Sequence, residues 1–204
     1  MMRRTMWYLL PVLLVLTVAG CAGKLEGDVV TFHQGPLPRG ETIQVVPGDP
    51  DKQGSLEFEH YAGLIREKLG RIGYTPVGPG EPAELLAEVR YGVSEGLTEI
   101  RTYDRGYARY HFYYGRYYDP FYYGFYHSWE PEVTAYTVYD RTLSMNILRP
   151  NEDGSSTVLF EGRVQSQGRE REIAKVMPYM ITALFTNFPG ESGVTKIVSI
   201  EKNH

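Results

Sequence analysis

The sequence holds a single cysteine, Cys21, so no disulfide can staple the chain and the fold has to rest on an apolar core. It has no run of the roughly 20 apolar residues that a membrane-crossing helix needs. The longest uncharged apolar stretch, Met6–Val18, is shorter and is interrupted by Pro11. Positive charge is not in excess. The formal net charge is −4, which gives no electrostatic reason to expect nucleic acid as a partner. The Gly-x-Ser-x-Gly elbow of serine hydrolases is missing. No two of the five histidines stand four residues apart, as a helical zinc site requires. Gly78-Pro79-Gly80 is followed by no lysine, so it does not read as a phosphate cradle.

What is present begins at the amino end. Arg3 and Arg4 precede the apolar stretch, and Val18-Ala19-Gly20-Cys21 follows it. Charge, a short apolar core and then small residues is the order of a secretory leader. The tetrapeptide resembles the lipobox of bacterial lipoproteins. That resemblance implies cleavage before Cys21, diacylation of its thiol and acylation of the new amino terminus. One acyl chain holds a protein only marginally on a bilayer, whereas two or three hold it persistently. The membrane partner is therefore expected through the lipid anchor. Ala22 follows the cysteine where an Asp would imply inner-membrane retention, so the resemblance implies the outer membrane, facing the periplasm. The leader carries Arg3 and Arg4 and no acidic residue, so its removal takes the formal charge from −4 to −6. The expected organisation is a signal peptide over 1–20, a lipidated tether over 21–27 and one domain over 28–204.

Periodicity sets the fold expectation. Short strands fit Val29–Phe32 and Thr42–Val46. After Ser55, a good N-cap, Phe58, Ala62, Ile65, Leu69 and Ile72 recur at helical steps, and Gly73 is a natural stop. From Leu85 the period becomes two, with Leu85, Ala87, Val89, Tyr91 and Val93 on one side. A long strand is expected over Val133–Leu148, with Leu143, Met145 and Ile147 inward. Asn151-Glu152-Asp153-Gly154 signals a hairpin, and Thr157–Gln165 is expected to pair back with Val158, Phe160 and Val164 inward. A second helix is expected over about Arg171–Asn187, kinked at Pro178 unless that proline lies in the first turn. A last strand fits Thr195–Ile200. The order β-β-α-β-β-β-α-β predicts an α+β fold. Its sheet should be mixed and mostly antiparallel, with two helices packed on one face, plus a Tyr-rich loop.

Several features in this order resemble one family: the lipobox, the helix ending Leu69-Gly70-Arg71-Ile72-Gly73-Tyr74, the strand Ala87-Glu88-Val89-Arg90-Tyr91, the aromatic stretch, the hairpin, and the close Phe188-Pro189-Gly190-Glu191-Ser192-Gly193. Together they look like the bacterial outer-membrane lipoproteins of domain-of-unknown-function family 4136. The second hairpin strand departs from the family's Leu-Val-Trp-x-Gly, reading Leu159-Phe160-Glu161-Gly162. Asn146 and Arg149 stand near the end of a strand that usually carries acidic residues. The resemblance implies an envelope lipoprotein and a fold, with no catalytic residues.

Residues 103–129 are the unusual segment. They hold ten of the seventeen tyrosines, including Tyr113, Tyr114, Tyr117, Tyr118, Tyr122 and Tyr123, together with Trp129 and interleaved Arg, His, Gly and Pro. Neither a helical nor a strand period runs through them, and they are too aromatic for ordinary disorder. Three readings stay open. The segment folds over the open sheet face and completes the core; it is an interface with another envelope protein or a second copy; or it meets lipid headgroups or a glycan through amphipathic rings. His111, Asp119 and His127 share the segment, but such spacing in a loop is common by chance, so no metal site is expected. Glu130 and Glu132 flank Pro131, and Arg169-Glu170-Arg171-Glu172 precedes the second helix; both read as solvated charge. No cofactor is expected. The functional expectation is a non-catalytic envelope lipoprotein that binds a partner protein or envelope component; the alternative is a hydrolase with a site not legible in the sequence.

Overall fold

Alternation of apolar and polar residues builds the strands, and the helical faces cover one side of the sheet they form. In the computed structural model, which describes residues 23–103 and 132–202, the chain runs β1 (Lys24–His33), β2 (Thr42–Pro47), a 3-10 turn (Pro50–Lys52), α1 (Leu56–Arg71), β3 (Thr75–Val77), β4 (Leu85–Val93), β5 (Leu97–Tyr103), β6 (Glu132–Pro150), β7 (Ser156–Gly168), α2 (Ile173–Phe185) and β8 (Thr195–Glu201). The strands lie in the order β3-β2-β4-β6-β7-β1-β8, with β5 paired to β6 beside this path. The β2–β3 and β2–β4 pairs are parallel and all others antiparallel. The fold is α+β with a mixed, mostly antiparallel sheet, as the periodicity predicted.

Helix α1 starts where Ser55 Oγ accepts the Phe58 N–H at 3.4 Å. It stops at Gly73, whose φ of +100° suits glycine. There the Tyr74 and Gly73 N–H groups donate to the Leu69 and Gly70 carbonyls, a Schellman close. The inward residues Phe58, Tyr61, Ala62, Ile65 and Leu69 of α1 meet Val176, Met177, Met180, Ile181 and Leu184 of α2 in one core. Leu25, Val29, Ile43, Leu85, Ala87, Val89, Leu143, Met145, Ile147, Phe160 and Val164 supply the sheet side of that core. Each fully buried Val, Leu, Ile, Phe or Met among them stabilises the fold by about 1.5–3 kcal/mol before entropy is counted. Gly162 has no room for a side chain, because a Cβ there would meet the Phe160 ring at 2.7 Å and Leu184 at 2.9 Å. The opposite face carries Arg90, Ser144, Asn146, Glu161 and Arg163 together with Val30 and the half-exposed Phe32, so it mixes charged and apolar side chains.

The structure corrects several expectations. Two further strands exist. β3 is three residues long and lies in a Gly/Pro-rich stretch, and β5 leads into the aromatic segment. Val158 is 48 % exposed rather than inward. The register jumps from Ile147↔Phe160 to Leu148↔Val158, so Leu159 is an extra residue that turns Val158 to the other face. α2 covers Ile173–Phe185 without a break, and Pro178 is its sixth residue rather than part of the first turn. Residues 24–27, expected as part of a tether, lie in a strand. β1 already starts at Lys24, and the Gly23 carbonyl accepts the Lys202 N–H at 2.8 Å.

Candidate functional site

The lipobox residues Val18, Ala19 and Gly20, Cys21 itself, and Tyr113, Tyr114, Tyr117, Tyr118, Tyr122, Tyr123 and Trp129 all lie outside the described residues. So do His111, Asp119, His127 and Glu130. Their anchoring points on the fold are described, and those points form the site.

The aromatic segment springs from a two-stranded arm. β4 pairs with β6 from Leu86↔Leu148 to Val93↔Arg141, and β5 continues on the same edge from Leu97↔Val138 to Tyr103↔Glu132. Three residues, Ser94, Glu95 and Gly96, stand opposite only Tyr139 and Asp140. The junction is therefore a one-residue bulge, a device that bends and twists a strand. The Ser94 N–H donates to the Asp140 carbonyl (2.9 Å), and the Asp140 N–H donates to Ser94 Oγ (3.0 Å). Gly96 has φ +96°, and a Cβ there would meet Thr137 and Tyr139 at 2.8 Å. Tyr136 O–H donates to Glu99 Oε2 across the arm at 2.9 Å. The Arg169 guanidinium lies 4.2 Å from the centre of the Tyr136 ring and ties the arm to the body.

The direction of the arm follows from register. Asp28 of β1 pairs with Gln165 of β7, and Gln165 pairs with Thr142 of β6, so the three share one row. β1 and β6 run the same way. Going back from that row, β1 starts four residues away at Lys24 and β6 starts ten residues away at Glu132. At about 3.3 Å per residue the arm extends at most about 20 Å past the start of β1, less where the bulge bends it, at the end of the sheet where the chain leads back to Cys21.

The root of the arm holds a buried cation. Arg141 is 3 % exposed and lies on the core side of β6. Its Nε and Nη2 donate to the Ser166 carbonyl (3.5 Å) and hydroxyl (3.2 Å), and Nη1 donates to the Glu170 carbonyl (3.4 Å). Ser166 Oγ in turn donates to the Glu26 carbonyl of β1 at 2.8 Å. Burial holds the guanidinium pKa below its usual value, with the Glu170 and Asp140 charges pulling the other way. Gly168 leaves room for it, since a Cβ there would come within 2.6 Å of Arg141 Nη2 and would push the guanidinium aside. One side chain thus clamps β6, β7, β1 and the link into α2.

Chemistry is sparse elsewhere. Among the described residues no three His, Cys, Asp or Glu side chains converge to hold a metal ion. His33 is turned to backbone, with Nδ1 near the Gly35 carbonyl (3.0 Å) and Nε2 near that of Gly190 (3.3 Å). Glu132 is the first residue of β6. Glu170 and Glu172 pair with Lys175 at the start of α2. Beside the β4 strand, two residues short of the Val93↔Arg141 pair at the arm's root, Glu57 accepts hydrogen bonds from Tyr61 (3.0 Å) and Tyr91 (3.3 Å) and lies 3.8 Å from Lys52. Sequence reading missed both the arm and the clamp. The β-branched alternation of Leu97–Tyr103 after a glycine was the signal for the arm. Nothing local marks Arg141 among fifteen arginines.

The family model described as "Domain of unknown function (DUF4136)" matches residues 32–190. No curated protein matches the chain. Among solved structures, a PDZ domain protein from Parabacteroides distasonis is similar at 12 % identity with a TM-score of 0.45, over 88 % of this chain and 40 % of that one. This chain therefore spans about two fifths of that protein's length. A PelC dodecamer from Paraburkholderia phytofirmans is similar at 12 % identity with a TM-score of 0.36, over 76 % of this chain and 91 % of that one.

Proposed function

The chain belongs to the DUF4136 family, and from that premise we propose that it is a non-catalytic, lipid-anchored envelope lipoprotein that binds a partner protein or envelope component through the segment on its arm. The observation that carries this reading is the common direction of the arm and of the chain's path to Cys21. With Gly23 held by Lys202, only Ala22 separates the sheet from the acylated residue, a reach of about 7 Å. A domain pinned that closely has one end at the outer membrane's periplasmic surface. The arm at that same end carries Tyr113, Tyr114, Tyr117, Tyr118, Tyr122, Tyr123 and Trp129 to the headgroup layer or to whatever lies beside it. Tyr and Trp suit such a boundary, because each joins an apolar ring to a polar tip.

Mass spectrometry of the native protein tests the anchor. The expected mass starts at Cys21 with two or three acyl chains, and Cys21→Ser moves the protein out of the membrane fraction. A bare Cys21 or a retained leader overturns this. Deleting Gly106–His127 is expected to remove envelope partners captured by crosslinking in intact cells. An unchanged set of partners counts against binding through the arm.

A further inference from the structure

The face of the sheet turned away from the helices carries two rows of side chains that the register aligns. Val30, Arg163, Ser144 and Arg90 stand side by side across β1, β7, β6 and β4. Phe32, Glu161, Asn146 and Glu88 form the next row on the same strands. Strands lie about 4.8 Å apart, so the rows floor a strip about 14 Å long. A recess of about 300 Å³ opens on this strip, lined by Val30, Phe32, Arg90, Ser144, Asn146, Glu161 and Arg163 among others. Phe32 is 50 % exposed at one end of it.

The polar groups of the recess fall into two sets. At the far end Arg90 is already used. Its guanidinium pairs with Glu88 at 2.6 Å and donates to the Gly48 carbonyl at 3.1 Å. In the middle, the Ser144 hydroxyl, the Asn146 amide, the Glu161 carboxylate and the Arg163 guanidinium make no side-chain hydrogen bond or ion pair among the described residues.

Those four groups decide what fits. Glu161 and Arg163 stand two residues apart on one strand, about 7 Å, within the Debye length at physiological salt. An anion held by Arg163 is repelled by Glu161, and a cation held by Glu161 is repelled by Arg163. A wholly apolar guest would desolvate both charges with no compensating partner. A second copy fits badly, because a two-fold pairing sets the recess against its own image and leaves a void. What matches is an uncharged ligand whose groups each donate and accept, with one apolar face for the aromatic end. Sugar hydroxyls can donate to Glu161, accept from Arg163 and do both at Asn146 and Ser144, and the C–H face of a pyranose ring suits the negative face of a phenyl ring.

We propose that this strip binds an uncharged oligosaccharide, with one sugar ring on Phe32 and hydroxyls bridging Glu161, Arg163 and Asn146. The site lies on the body of the sheet and needs neither acylation nor the aromatic segment. Its failure leaves the reading of the arm untouched.

The test is calorimetry on the full chain in a detergent without a sugar headgroup. The neutral probes are cellotetraose and chitotetraose, the anionic probe is tetragalacturonate and the cationic probe is the glucosamine tetramer. At least one neutral tetrasaccharide is expected to bind, and both charged ones to bind at least about tenfold more weakly. Phe32→Leu keeps an apolar side chain and removes the ring. It should weaken the neutral sugar about tenfold while the melting temperature holds. Glu161→Gln should strengthen binding of tetragalacturonate, and Arg163→Gln that of the glucosamine tetramer, each about tenfold. The proposal is overturned by neutral sugars that do not bind, by binding indifferent to Phe32→Leu, or by a charged tetramer that the wild type holds as tightly as the neutral one. A concentration-dependent dimer that Glu161→Arg dissolves would also overturn it and assign the face to a second copy.

Discussion

At the scale of single residues, two polar arrangements make the sharpest predictions. Glu57 takes two tyrosine hydroxyls on one carboxylate. Burial, the Glu57 charge and its hydrogen bond push the Tyr91 pKa up to about 12 from an ordinary 10, and burial with the Glu57 bond raises that of Tyr61 further. Raised values mean that the folded state holds these protons more tightly than the unfolded chain does. Their contribution to stability is therefore complete below pH 10 and is lost as pH rises through the folded-state values, from about 12 upward. Titration followed by tyrosinate absorbance should show late tyrosines, Tyr61, Tyr74 and Tyr91 among them, and Glu57→Gln should bring Tyr61 and Tyr91 back toward 10 while leaving Tyr74 late. A titration in which Glu57→Gln changes nothing would remove Glu57 as a cause. Arg141 and Gly168 form the other arrangement. Gly168→Ala forces a methyl into the guanidinium and should cost about 1–3 kcal/mol in denaturant unfolding. Arg141→Ala should cost about 2–4 kcal/mol on its own. In the double variant the Gly168→Ala penalty should largely vanish, because the clash has no second partner. Additive losses would mean that the glycine answers to something else.

At the scale of elements, α2 carries a proline that removes one backbone bond, the one to the Ala174 carbonyl. Thr182 Oγ1 donates to the Pro178 carbonyl (2.9 Å), and Thr186 Oγ1 donates to that of Thr182 (2.9 Å), along the same side of the helix. A proline at this depth is unfavourable to the helix, so Pro178→Ala is expected to stabilise the protein by about 1 kcal/mol, seen as a rise in Tm. The arm is the element that sequence reading left incomplete. Long, strongly periodic elements such as α1, β4 and the core half of β6 were legible, because their inward residues recur without interruption. β5 was not, because Leu97–Tyr103 runs into an aromatic stretch with no period of its own. Val158 was misread for a related reason. A bulge inverts the parity of every residue beyond it, and nothing in Thr157–Phe160 announces one.

At the scale of the whole molecule, the described residues form one apolar core between the helices and one sheet face, and the other face mixes charged residues with Val30 and the half-exposed Phe32. Joining Tyr103 to Glu132 by a two-residue hairpin turn should leave Tm within a few degrees of the full chain, a change of less than about 1 kcal/mol. A loss of ten degrees or more would show that the aromatic segment packs against the body.

What the sequence determined by itself is whatever depends on short-range pattern. Side-chain periods of two and 3.6 fixed most strands, both helices and the class of fold. Charge, apolar core and small residues gave the expected leader, and the absence of clustered His, Cys or carboxylates left no metal or catalytic set to expect. What only the tertiary structure decided depends on register and on where chain ends meet. It pairs β5 with β6, aligns the arm with the start of β1, and sets Phe32, Glu161 and Asn146 in one row across three strands. It also brings Arg141 under Gly168 from a distant stretch of chain. These facts are relations between segments far apart in sequence, set by which hydrogen-bonded rows coincide, and no local pattern of residues encodes that coincidence.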